Sequence, residues 1–395
     1  MLKSLRGGIP FGGNKEIVAC GSRLFSTTLC SSLEKTVQTV PLISDPNYKI
    51  PNNSVLVSGI QPTGAFHLGN YLGATKSWKL LTDRVIQDEI DSTLIFFVAD
   101  LHSITVPQDF STLKKHRMEA IASIIACGVD PEKAIIYNQS AVPEHTQLQW
   151  VLNCFTSVGY LNRMTQWKSK SNIRETSDII ADIGKVRLGL FSYPVLMAAD
   201  ILLFNTTHCP VGLDQAQHLE LTREIAESFN KETRSKFFNL PKTLLAPTSK
   251  VLSLRNPSKK MSKSDPDEMS RLSIIESPES IIKKIKKATT DSIEGRITYD
   301  PIERPGISNL LTIYAAIKNK TISTIMPDVE HLNKMQLKDM VSTAIIEDLK
   351  TPSELYNELI RDEERLQKLS DRGAERAREI AAKNLKEIYK IIGMN

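Results

Sequence analysis

Ser54-Val55-Leu56-Val57-Ser58-Gly59-Ile60-Gln61-Pro62-Thr63-Gly64-Ala65-Phe66-His67-Leu68-Gly69-Asn70 is the stretch on which the fold reading turns. Its first five residues are apolar and β-branched enough for a strand buried on both faces of a parallel sheet. The strand runs straight into a turn with glycines at 59, 64 and 69. Glycines there let the backbone approach a flat base or a phosphate that a Cβ would hold off. A helix starting near Gly69 is expected to offer free N–H groups and a positive dipole end to an anion. The spacing is not Gly-x-Gly-x-x-Gly, which disfavours a nicotinamide dinucleotide.

Two more apolar runs follow, Thr93–Ala99 and Ala134–Tyr137, separated by helical spacing over roughly 70–84 and 111–127, with Ser111 as N-cap of the second helix. This β-α-β-α-β order predicts an α/β fold, a doubly wound parallel-sheet (Rossmann-like) nucleotide-binding catalytic domain with a C-terminal helical domain. From Pro143 to Asn205 the chain reads as mainly helical, with Tyr193–Phe204 strongly apolar. Cys209-Pro210-Val211-Gly212 reads as a turn before a helix near Asp214, and 165–185 as a mobile loop. Beyond about residue 300 the pattern is all-α. Thr351-Pro352-Ser353-Glu354 fits a capping box with Pro at the first helical position, and Leu355, Leu359, Leu366, Leu369, Ala377, Ile380, Ile388 and Ile391 continue one apolar face. The expected organisation is a targeting segment and linker at 1–45, a catalytic domain at 46–300 with a helical insertion at about 143–205, and a helical region at 301–395.

At 395 residues there is room for two or three domains. Hydrophobic residues make up 41% and charged residues 24%, and no apolar run approaches a membrane span. A net charge of +5 does not by itself announce a nucleic-acid binder. The first 32 residues hold Lys3, Arg6, Lys15 and Arg23 against one acid, Glu16, with seven Ser and Thr. That acid-poor composition predicts a mitochondrial transit peptide cleaved between 20 and 50, and so the mitochondrial matrix. Cys20, Cys30, Cys127, Cys154 and Cys209 form no C-x-x-C pair, so neither disulfides nor a zinc set is expected, and no metal site is assigned.

Two hundred residues downstream stands Lys260-Met261-Ser262-Lys263-Ser264, bounded by Pro257 and Pro266. Two ammonium groups on a mobile loop can follow a pyrophosphate as it becomes a leaving group. Together with His67-Leu68-Gly69-Asn70 this resembles the split ATP site of class I aminoacyl-tRNA synthetases. Asn70 departs from the His-Ile-Gly-His form of that signature, and Asn keeps a hydrogen-bond donor without a titrating charge. Gly-Ile-Gln-Pro-Thr-Gly, Met-Ala-Ala-Asp-Ile-Leu and Pro-Val-Gly-Leu-Asp-Gln resemble the tryptophanyl-tRNA synthetase family in particular, over about residues 52–393.

The resemblance implies Lys260, Lys263, His67 and Asn70 as catalytic, and an ATP site of Gln61, His67, Leu68, Gly69, Asn70, Gly212, Leu213, Asp214, Val251, Lys260, Met261, Ser262, Lys263 and Ser264. It implies a tryptophan site of Asp200, Tyr193, Met197, Gln215, His102 and Gln61. Asp200 sits in an apolar helix, and burying a carboxylate is expensive without a donor. A substrate indole N–H is expected to supply one. ATP with Mg²⁺ bound to it, L-tryptophan, tRNA(Trp) and a second copy of the chain are the implied partners, with residues 143–165 (Trp150, Phe155, Tyr160) as the candidate interface. Anticodon reading by the helical region is likewise implied only by the family. No block of a hundred residues interrupts the sheet between Tyr137 and Gly212, so no editing insertion is expected. Two alternatives stay open at this stage, a tyrosyl enzyme of the same class and a non-catalytic RNA-binding relative.

Overall fold

The computed structural model describes residues 42, 43, 45, 48–170, 186–246, 250–263 and 265–394. Most of the expected targeting segment, Cys20, Cys30, Pro247, Ser264 and most of the loop at 165–185 lie outside the described residues.

Five strands form one parallel sheet in the order β3-β2-β1-β4-β5: β1 Ser54–Ile60, β2 Ser92–Val98, β3 Ala134–Asn138, β4 His208–Val211 and β5 Lys242–Leu245. Strand order reverses between β1 and β4. In open α/β sheets that reversal opens a crevice beyond the carboxyl ends of the strands, where ligands bind. After β1 the chain passes through α1 (Leu68–Asn70) and a wide π-type turn (Tyr71–Thr75) into α2 (Lys76–Gln87). After β2 come a short α3 (Asp100–Ser103) and α4 (Phe110–Ala126). Helices α5 (Glu144–Asn153), α6 (Val158–Arg163), α7 (Thr165–Lys170) and α8 (Leu188–Leu202) separate β3 from β4, and α9 (Ala216–Glu232) joins β4 to β5.

Alternation along the strands divides the core in two. Leu56, Leu94, Phe96 and Ile136 face a core containing Trp78, Leu81 and Ile121, with Trp78 stacked on Phe96 at 4.6 Å. Val57, Ile95, Phe97 and Tyr137 face the other, built from α5, α8 and α9.

Sequence and structure differ at four places besides Thr165–Lys170, expected as part of a mobile loop and folded as helix α7. Asp109, not Ser111, caps α4, because its carboxylate accepts the Ser111 N–H at 3.0 Å. The apolar helix starts at Leu188 and ends at Leu202, earlier at both ends than the pattern suggested. The expected turn at 209–212 is largely strand β4. Its ladder with β1 is registered only at Leu56–His208; Pro210 lacks an N–H, and side chains take over. Ser58 Oγ donates to the Pro210 carbonyl at 2.7 Å, and Cys209 Sγ lies 3.1 Å from the Val57 carbonyl.

The fourth difference lies beyond residue 300, where α10 (Pro278–Lys286) is followed by α11 (Pro305–Ile317), α12 (Ile322–Val329), α13 (Lys334–Arg361) and α14 (Glu363–Ile391). The expected helix start at Thr351 is the middle of α13, with buried Pro352 inside it. The capping box belongs to Asn333 and Gln336, and Asp362 caps α14. These helices do not stand apart. Ile307, Leu310, Val341 and Ile345 share the first core, and Ala377, Ala381, Leu385 and Ile388 share the second.

Candidate active site

Two of the expected site segments leave the strands that flank the switch point. The first leaves the end of β1 and the Gly212-Leu213-Asp214-Gln215 segment leaves the end of β4. His67 is the N-cap of α1: its Nδ1 accepts the N–H groups of Gly69 at 3.0 Å and Asn70 at 3.3 Å, while Asn70 Oδ1 accepts the His67 N–H at 3.4 Å. Gly69 is required there because a Cβ would stand 2.9 Å from the imidazole. Burial, then the fields of Lys260, Arg271 and Lys263, pull the His67 pKa down to about 4. The ring is therefore neutral at pH 7, and its proton resides on Nε2.

The third N–H of that turn, from Leu68, donates to the Leu272 carbonyl at 2.8 Å. The expectation of free N–H groups at this helix start is thus corrected, since all three are satisfied within the chain. What remains for an anion is side-chain charge.

The second signature supplies it. Val251 and Met261 are buried, joined by the Met261 N–H to the Val251 carbonyl at 3.0 Å, with Leu252 and Lys260 paired antiparallel. This two-stranded frame exposes Lys260 and carries the loop back to the first signature. Lys263 Nζ occupies the space a Gly64 side chain would fill, 2.1 Å from the ideal Cβ position, with Glu119 of α4 beside it. Gly64 has φ +80°, so the turn itself also favours glycine there. Burial, offset by Glu119, lowers the Lys263 pKa.

The second cluster is centred on Asp200 of α8, 2% exposed. Gln139 Nε2 donates to its Oδ1 at 2.7 Å, and His102 Nε2 lies 2.8 Å from its Oδ2. His145 Nδ1 is 2.7 Å from Oδ1, in ion-pair range but off-line for a hydrogen bond. The Leu101 N–H fixes the Gln139 amide by donating to its Oε1 at 3.2 Å. Burial and the Asp200 charge push the Tyr137 phenol well above its usual range, so it stays protonated and donates to His145 Nε2 at 2.9 Å. That sets the His145 proton on Nδ1, toward Asp200. Burial alone would raise the Asp200 pKa, but His145 and His102 overcome it and hold the carboxyl at about 2.

Burial of Asp200 therefore does not by itself demand a substrate donor, because Gln139, His102 and His145 stand against its carboxylate. The two oxygens still differ. Oδ1 is covered by the wholly buried Gln139 and His145, whereas among the described residues Oδ2 has one partner, on the partly exposed His102, and capacity for another donor.

Tyr193 stands beside His102, ring centroids 6.1 Å apart, and accepts or donates with His218 Nε2 at 3.0 Å. Met197 packs against Ile201, Cys209 and Leu219, one turn before Asp200. Gln61 is exposed directly after β1, and Gln215 Nε2 donates to Asp214 Oδ2 at 3.1 Å. Among the described residues no hydrogen bond joins Gln61 or Gln215 to the Asp200 cluster. Sequence reasoning passed over Gln139 and His145, although polar residues at the exit of an apolar strand were a signal for them. His208, beside Cys209, bonds to Tyr48 and Thr207, each at 2.8 Å.

A parallel sheet in this order, with a glycine-turn signature met by a lysine loop across its switch point, defines the catalytic domain of class I tRNA synthetases. The chain belongs to the family of tRNA synthetases class I (W and Y), which it matches over residues 51–370. It is 54% identical to the mitochondrial tryptophan–tRNA ligase of Saccharomyces cerevisiae over 87% of this chain and 91% of that protein. Among solved structures it resembles the tryptophanyl-tRNA synthetase of Mycoplasma pneumoniae (31% identity, TM-score 0.73, 87% of this chain and 98% of that one). It also resembles the Campylobacter jejuni enzyme complexed with ADP and tryptophan (32% identity, TM-score 0.66, 86% and 99%).

Proposed function

We infer that this chain activates L-tryptophan with ATP and transfers it to tRNA(Trp) in the mitochondrial matrix. The observation that carries the reading is the seating of Lys263 over Gly64, which unites the two signatures at the switch point. The relatives' names support the amino acid and the compartment, and the ADP- and tryptophan-bound relative supports a shared nucleotide and amino-acid crevice.

In the first step a carboxylate oxygen of tryptophan attacks the α-phosphorus, and the bond from that phosphorus to the β-bridging oxygen breaks. The attacking group is already ionised at pH 7 and needs no general base, so the work is positioning and charge compensation, with Mg²⁺ entering on the nucleotide's phosphates. Lys260 and Lys263 offset charge gathering on the leaving pyrophosphate. His67 offers Nε2–H and Asn70 its amide to the phosphates. Gln61, Leu68, Gly69, the Gly212–Asp214 turn, Val251 and Met261 through Lys263 cradle the nucleoside and triphosphate.

Asp200 Oδ2 accepts the indole N–H, with Met197 against the ring and Tyr193, His102, Gln215 and Gln61 around the substrate's polar end. Recognition of a buried N–H rejects analogues lacking it by roughly 10⁴–10⁵. In the second step the ribose hydroxyl of tRNA attacks the adenylate carbonyl and AMP leaves, while residues 301–395 hold the anticodon. A homodimer through 143–165 fits Trp150 and Val158, which are 72% and 69% exposed.

The test is ATP–pyrophosphate exchange with tryptophan and with tyrosine in separate assays. Tryptophan-dependent exchange is expected. Exchange driven by tyrosine instead, or by neither, overturns the reading. Fluorescent fusions with and without residues 1–32 test the compartment, and mitochondrial accumulation of the shortened form overturns the transit peptide.

A further inference from the structure

Because His67 and Leu272 use up the N–H groups at the start of α1, offsetting the charge of a polyanion bound there falls to cationic side chains. Lys260 and Lys263 are two. Arg271 is a third, from outside both signatures. It directly precedes Leu272, whose carbonyl takes the Leu68 N–H, and Ser273 pairs antiparallel with His67. Its backbone is thus fixed to the first signature. Its Nη1 donates to the Asp265 carbonyl at 2.6 Å, two residues past Lys263, so its side chain also holds the second.

Arg271 is half-buried, and among the described residues no carboxylate pairs with it. Its field helps to lower the pKa of both His67 and Lys263. Positive charge gathered this way, without a carboxylate partner for Arg271, favours an arriving anion. A guanidinium has five N–H donors in a planar fork; the Asp265 carbonyl engages one nitrogen, and the others suit two oxygens of a phosphate.

We propose that Arg271 is a third phosphate-binding cation of the nucleotide site, gripping the pyrophosphate end of ATP and the leaving pyrophosphate while it ties the Lys260–Lys263 loop down through Asp265. The proposal rests on the ATP site described under Proposed function.

The experiment is ATP–pyrophosphate exchange by the full chain with R271Q and R271K, together with calorimetric binding of inorganic pyrophosphate. R271Q keeps an amide donor for the Asp265 carbonyl and removes the charged fork. It is expected to raise KM for ATP and pyrophosphate by about 10–100-fold, the scale of a lost charge-assisted contact. Tryptophan KM should stay within about twofold. R271K, a point charge, should recover part of the loss. Pyrophosphate affinity unchanged in R271Q, or a loss shared equally by tryptophan KM, overturns the proposal and leaves Arg271 a loop strut. Should R271Q not fold, R271K decides: pyrophosphate affinity equal to wild type counts against the fork, and weakened affinity supports it. Wild-type protein without tryptophan-dependent exchange would instead defeat the ATP-site reading.

Discussion

Asp200 shows how much one residue's partners decide. From sequence, a carboxylate between Met197 and Leu202 is an anomaly in an apolar helix, and that was enough to single it out. Its partners were not readable, because Gln139, His102 and His145 come from three other segments, 55 to 98 residues earlier in the chain. They decide the effect of truncation. Asp200→Ala strands buried donors and should destabilise the fold by about 3–5 kcal/mol, read from urea unfolding. Asp200→Asn should stay folded and lose tryptophan activation by some ten- to two-hundredfold, with ATP affinity near normal. Normal tryptophan kinetics in Asp200→Asn would make the cluster purely structural. The acid limb follows from the same partners. The folded carboxyl titrates near 2 and the unfolded one near 3.8, so the unfolded chain binds more protons between them. Stability from Asp200 is therefore present above about pH 4 and is lost as pH falls toward 2, and Asp200→Asn should flatten that part of the curve. Lys263→Ala tests the other cluster: adenylate formation should slow by about 10²–10³ with tryptophan still bound, and unchanged single-turnover rates would remove Lys263 from catalysis.

Among the elements, those with strong period were readable and those held by tertiary partners were not. β1, β2 and β3 announce themselves as apolar runs, whereas β4 contains Pro210 and β5 is four residues long. In the glycine turn, side chains of Phe97, Lys263 and His67 crowd Gly59, Gly64 and Gly69 where a Cβ would stand. The use of the Leu68 N–H is not legible there, because the Leu272 carbonyl that accepts it lies some two hundred residues away. Gly373, within α14, shows the same limit. In sequence it is an unremarked glycine in a helical run, yet a Cβ there would stand 1.8 Å from the Ile136 carbonyl oxygen of β3. That atom is sheet backbone and cannot swing aside. Gly373→Ala should therefore cost at least about 1–3 kcal/mol despite the better helix propensity of alanine. Gly73→Ala, where nothing lies within 4 Å of the added methyl, should change stability by less than about 1 kcal/mol. Thermal unfolding of the two variants checks this, and equal melting points would mean that α14 shifts away from β3 at no cost.

For the whole molecule, the helices after residue 300 complete the catalytic core. One face of the sheet is buried with α11 and α13, the other with α14. Polar ties run alongside: buried Asn138 Nδ2 donates to Ser370 Oγ at 3.1 Å, and Asn384 Nδ2 to the Leu203 carbonyl at 2.9 Å. The firmest tie reaches the nucleotide side. Lys76, at the start of α2 just past the first signature, places its buried ammonium 2.8 Å from the Ile317 carbonyl and 3.0 Å from Asp348 of α13. Burial lowers the Lys76 pKa and the Asp348 charge offsets that, so the pair ties α13 to α2 where the ammonium is desolvated. A chain ending after Arg304 would expose both apolar faces and leave Lys76 unpaired. We expect such a fragment to lack a cooperative thermal transition and to show no ATP–pyrophosphate exchange, even with every signature residue present. Restoring residues 305–395 as a separate polypeptide should recover exchange if the two pieces associate, since the missing part is core rather than a tethered module. A fragment that melts cooperatively on its own, measured by circular dichroism and calorimetry, would show that the sheet is stable without those helices and that 301–395 is an independent domain after all.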